Sequence, residues 1–86
     1  MTKEYIIAFS SFYKAIYAQE KLQERMMRST LKKLPPELIK SCGYALHLRI
    51  DSIQSVLKVL EDSQIATRGI FMVDNSSGKI NYRRIA

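Results

Sequence analysis

Between Gly43 and Asp51 every second residue is large and apolar. Tyr44, Leu46, Leu48 and Ile50 fall on one side of an extended chain, and Ala45, His47 and Arg49 on the other. A period of two identifies a strand with one face on a core. Such a strand cannot stand alone: it needs neighbours along its edges and a layer over its apolar side.

The rest of the chain supplies both. Glu4 to Phe9 (EYIIAF) is β-branched, aromatic and apolar at nearly every position, the pattern of a strand covered on both faces and therefore central in its sheet. Ser10 or Ser11 offers an N-cap hydroxyl. Phe12, Ala15, Ile16, Gln19, Leu22 and Met26 then recur at helical spacing, giving a first helix of about four turns with a solvated face through Lys14, Glu20, Lys21, Glu24 and Arg25. From Met27 to Leu34 the apolar content falls, and lysines on a weak strand predict a sheet edge. Pro35 and Pro36 turn Leu34 and Pro35 away from helical geometry, and Pro36 can open a short helical turn through Glu37 to Lys40. Beyond the alternating strand, Asp51 or Ser52 caps a second helix with Ile53, Val56, Leu57 and Leu60 on one stripe, ending around Asp62. Thr67 to Val73 reads as another strand buried on both faces. Asp74 to Gly78 has turn composition, and Lys79 to Ile85 either returns as an edge strand or stays a basic tail.

With 86 residues, 47% hydrophobic and 26% charged, the chain supports one core: a domain over residues 1–74 and an extension over 75–86. One cysteine forms no internal disulfide, and one thiol with one histidine builds no structural zinc site, so packing or association must supply the stability. No apolar run reaches the roughly 18 residues of a membrane span, and the N-terminal apolar stretch is too short for a signal sequence. The expected location is cytoplasmic. Net charge is +6, spread thinly, without the arginine-rich arm usual in nucleic-acid binders.

The order strand, helix, strand, strand, helix, strand makes two split βαβ units. With right-handed crossovers these form an α+β, ferredoxin-like two-layer sandwich: an antiparallel sheet with both helices on one face. In that topology the first and third strands are central and the second and fourth lie at edges. Because Tyr5, Ile7 and Phe9 point opposite to Ile6 and Ala8, the helix-free face also carries apolar side chains, which predicts a homodimer or a protein partner.

Cys42 is the one residue with nucleophilic chemistry to offer. Taken alone, an isolated cysteine reads as a small core residue. Its neighbours Ser41 and Gly43, at the join between a proline-started turn and a strand, argue for presentation at the surface. Gly43 permits a positive φ or close approach of another molecule, and Lys40, Lys32 or Lys33 would favour the thiolate. His47, roughly 16 Å along an extended strand, is too far to act as its base and reads as a sheet-face histidine. Paired carboxylates, a triad and a glycine-rich phosphate loop are all missing, which leaves hydrolase and kinase readings without support.

The segment LPPELIKSCGYALHLRI (Leu34 to Ile50), set after a strand and helix and followed by the Asp51 to Leu60 helix and RGIF at Arg68 to Phe71, resembles the small DUF3343 proteins, described as Se/S carrier protein-like. The resemblance spans roughly residues 4 to 73. Two features depart from it: the first helix ends in the basic, Met-containing Arg25 to Arg28 without the usual glycine turn, and the tail from Asn75 lies outside the match. What the resemblance implies is a sulfur or selenium carrier rather than a turnover enzyme, with Cys42 carrying the chalcogen and Gly43 its motif neighbour. The implied partners are a donor protein such as a cysteine desulfurase and an acceptor protein, docking through Lys32, Lys33 and Lys40. No cofactor, metal or membrane is called for. The alternative is a noncatalytic ferredoxin-like interaction or dimerisation module. A less favoured form of it binds RNA through Tyr5, Phe9 or Phe71 stacking on bases, with Arg49 and Lys32 nearby.

Overall fold

The computed structural model describes residues 3–34, 43–74, 78 and 80–85. The elements run in the order β1 (Lys3–Phe9), α1 (Phe12–Glu24), β2 (Thr30–Lys33), β3 (Tyr44–Ile50), α2 (Ile53–Asp62), β4 (Gly69–Asp74) and β5 (Asn81–Arg84). The strands form one antiparallel sheet in the order β2-β3-β1-β4-β5. The first four strands have the arrangement of a ferredoxin-like sandwich. β5 takes the strand alternative open to the C-terminal segment and pairs with β4 from Phe71↔Arg84 to Asp74↔Asn81. β4 is therefore internal, where the sequence reading placed it at an edge. A four-residue polar strand now guards that side, a short charged edge of the kind that resists pairing with another chain. The expected short helical turn at Glu37 to Lys40 lies outside the described residues.

Alternation sorts the side chains as the period of two requires. Tyr5, Ile7, Phe9, Leu46, Leu48 and Ile70 meet Ala15, Ala18 and Leu22 of α1 and Val56, Val59 and Leu60 of α2 in the main core. Each fully buried large side chain there contributes about 1.5–3 kcal/mol by area removed from water. Both helices end on a residue in the left-handed region. Met26 has φ 61° and Gln64 φ 55°. At the end of α1 the Met27 N–H donates to the Leu22 carbonyl and the Met26 N–H to that of Gln23; after α2, Ile65 and Gln64 do the same with Leu60 and Glu61. These are Schellman closures made without glycine, and Met27 and Ile65 pack on the core just beyond them. The missing glycine turn at Arg25 to Arg28 thus changes a residue type and leaves the turn itself in place.

The helix-free face carries a second cluster of Ile6, Ala8, Leu34, Ala45 and Phe71, with Val73 and Tyr82 packed against it. Its central residues are already buried in the single chain: Ile6 is 1% exposed and Ala8 and Ala45 are fully covered. The wet apolar face from which self-association was expected is therefore much smaller than alternation alone suggests. Tyr5, Phe9 and Phe71 are all buried, so none presents a ring for a base to stack on. Among the described residues no helix is long and apolar enough to cross a membrane.

Candidate functional site

Cys42, Ser41 and Lys40 lie outside the described residues. What the structure gives is the frame from which that segment springs. Because β2 and β3 pair in register up to Lys33↔Tyr44, the next pair outward is Leu34 and Gly43, and the Leu34 N–H donates to the Gly43 carbonyl at 3.1 Å. Leu34 and Gly43, the two residues that flank 35–42, are thus joined by a hydrogen bond. Leu34 is 8% exposed and belongs to the cluster on the helix-free face.

Gly43 is buried, and packing accounts for its identity. A Cβ there would sit 2.5 Å from Leu34 Cδ1 and 3.2 Å from the Phe9 carbonyl oxygen. Its φ is not among the positive ones, so of the two reasons offered by the sequence the positive φ does not apply. The space a Cβ would need is filled by Leu34 and the β1 backbone of the same chain.

The end of the sheet that holds Gly43 is also where α1 begins. Phe9 is opposite Tyr44, and only Ser10 and Ser11 separate β1 from α1. Ser11 is the N-cap, its Oγ accepting from the Lys14 N–H at 3.2 Å. Phe12, in the first turn, stands edge-on to Tyr44 with ring centroids 5.3 Å apart. Gly43 therefore sits at the end of the sheet where a 13-residue helix turns its N-terminus. Sequence reasoning missed this proximity of Gly43 to the start of α1. The signal was present in the two-residue connection Ser10-Ser11, which leaves the helix no room to start anywhere else.

Lys32 and Lys33 do not form one patch. Lys32 and Lys33 are both exposed, but strand alternation sends them to opposite faces: Lys33 beside Tyr44 on the helix side, Lys32 beside Ala45 on the helix-free side. His47 lies four residues beyond Gly43, about 13 Å along the strand. It is a sheet-face histidine, its Nδ1 4.0 Å from Glu4 Oε1. Burial, reinforced by the Lys32 charge and opposed by Glu4, holds its pKa below 6.5. Among the described residues, no group of three or more His, Cys, Asp or Glu could hold a metal ion.

Neither the curated proteins nor the solved structures contain a match to this sequence. One family model, described as "Putative Se/S carrier protein-like", matches residues 4–72. That span takes in β1 through most of β4, both helices and the segment with the chain's sole thiol. The chain belongs to that Se/S carrier protein-like family.

Proposed function

We propose that the protein carries sulfur or selenium on Cys42 between two other proteins. Two things support this reading: the family's description, and the position of Gly43, bonded to Cys42, at the end of the sheet where α1 begins. A thiolate is the species that attacks, and a helix N-terminus stabilises it relative to the thiol.

The transfer balances without an added oxidant or reductant. The Cys42 thiolate attacks the terminal sulfur of a donor persulfide, a new S–S bond forms at Cys42, and the donor cysteine leaves as its thiolate. An acceptor thiolate then attacks the outer sulfur, and Cys42 departs as a thiolate. Because each step is an attack on the outer atom, one cysteine suffices. A selenium atom moves by the same exchange. Lys40, and Lys33 on the Tyr44 side of the sheet, are proposed to meet an acidic donor or acceptor. The reading is tested by alkylation at neutral pH. Cys42 should react with iodoacetamide faster than free cysteine, with a rate midpoint below the ordinary cysteine pKa of about 8.5. A rate equal to or slower than that of free cysteine contradicts it.

A further inference from the structure

The helix-free face has a second region of unspent chemistry, at the opposite end of β3 from Gly43. A cleft of about 350 Å³ opens there, where the edge strand β2 meets β3 and the start of β1. Alternation and pairing put Thr30 opposite His47 and Glu4 opposite Arg49, all on this face, with Lys32 one step along β2. Arg28 and Ser29, the last residues before β2, complete the wall. The Gln19 side-chain amide donates to the Ser29 carbonyl at 3.1 Å and so holds that wall to α1.

Several polar groups around the cleft lack partners among the described residues. Arg28, Lys32 and Arg49 make no ion pair among the described residues; Glu4 lies opposite Arg49 in the register, yet its carboxylate is 4.0 Å from His47 Nδ1. Ser29 Oγ and His47 Nε2 are shut off from solvent with no hydrogen-bond partner among the described residues. Three cations against one carboxylate leave about two positive charges facing the concavity, with the Thr30 hydroxyl among them. A phosphate group has the complementary properties: close to two negative charges, several acceptor oxygens, and a geometry that arginine forks bind in pairs.

We propose that this cleft is a binding site for the phosphate group of a small molecule, with Arg28, Arg49 and Lys32 supplying the charge and Thr30 the hydroxyl donor. It lies at the other end of β3 from Gly43 and does not depend on the carrier reading.

The test is an amide chemical-shift titration of the full chain at constant ionic strength with inorganic phosphate, a nucleoside monophosphate and a short single-stranded RNA as separate ligands. The expected result is saturable shifts centred on Ser29, Thr30, His47 and Arg49 with phosphate or the monophosphate. Arg49→Gln and Lys32→Gln should each weaken this binding about tenfold or more. Both side chains are exposed, so an unchanged spectrum before titration verifies that the variants fold. Lys58→Gln, on the exposed side of α2, should change nothing. Shifts that fail to saturate, that spread over all surface cations, or that persist in Arg49→Gln overturn the proposal. So does binding confined to RNA.

Discussion

Replacing Gly43 by alanine is the perturbation that most sharply questions the frame around Cys42. The added Cβ would lie 2.5 Å from Leu34 Cδ1, far inside van der Waals contact, and 3.2 Å from the Phe9 carbonyl oxygen, which belongs to a central strand and has little freedom to retreat. Leu34 has to give way. Moving it disturbs the hydrogen bond that closes residues 35–42 and partly uncovers Ala8 and Ala45. Overpacking of this kind costs about 1–3 kcal/mol. In a domain of this size that lowers Tm by roughly 4–8 °C per kcal/mol. A double-mutant cycle isolates the cause. Leu34→Ala alone should cost about 2–5 kcal/mol, as truncations of buried leucines do. If Leu34 is what the new methyl strikes, adding Gly43→Ala to Leu34→Ala should cost far less than it does in the wild type, with a coupling of about 1 kcal/mol or more. Urea denaturation with unchanged slope gives each corner of the cycle. Additive costs, or a Gly43→Ala variant as stable as the wild type, refute the packing argument and leave the glycine unexplained.

Other expectations concern the helix ends and the one histidine. Met26→Gly and Gln64→Gly should each stabilise by about 0.5–1 kcal/mol, since both residues occupy left-handed C′ positions that cost a side chain more than a glycine; thermal melts suffice to check this. Ser11→Ala should cost about 1 kcal/mol by removing the Oγ that caps the Lys14 N–H, measured by the same melts. His47 has a folded-state pKa below 6.5 because burial and Lys32 disfavour its charged form more than Glu4 favours it. The unfolded chain therefore binds the proton at higher pH than the folded one. His47's contribution is fully present above pH 6.5 and is lost as pH falls below it, levelling off under the folded pKa. His47→Gln should remove that slope from a plot of stability against pH; an identical slope in the variant contradicts the assignment.

Much of this architecture was legible because period and length agreed. The alternation from Tyr44 to Ile50 matched β3 residue for residue, and EYIIAF, apolar on both sides, marked the central strand. Local sequence said less where the outcome depended on partners distant in the chain. The segment after Gly78 carries no strong pattern in NYRR, and its pairing is fixed by the open edge of β4. The burial of Ile6, Ala8 and Ala45 likewise depends on Leu34, Phe71 and Tyr82 reaching across the sheet, which alternation cannot report. What a side chain at Gly43 would strike is Leu34, nine residues earlier, and the Phe9 carbonyl, neither of which its neighbours in sequence announce. The charged cleft was invisible for the same cause: Arg28, Lys32, Arg49 and Glu4 are dispersed in sequence and meet only through the β2-β3-β1 register.

The central claim is that Cys42 carries the chalcogen, and intact-mass spectrometry tests it most directly. The protein is incubated with a cysteine desulfurase and cysteine, desalted without reductant, and weighed beside Cys42→Ser treated in the same way. The carrier account predicts that the wild type gains the mass of one sulfur atom, that dithiothreitol removes it, and that Cys42→Ser gains nothing. Wild type of unchanged mass, or an equal gain in Cys42→Ser, contradicts it.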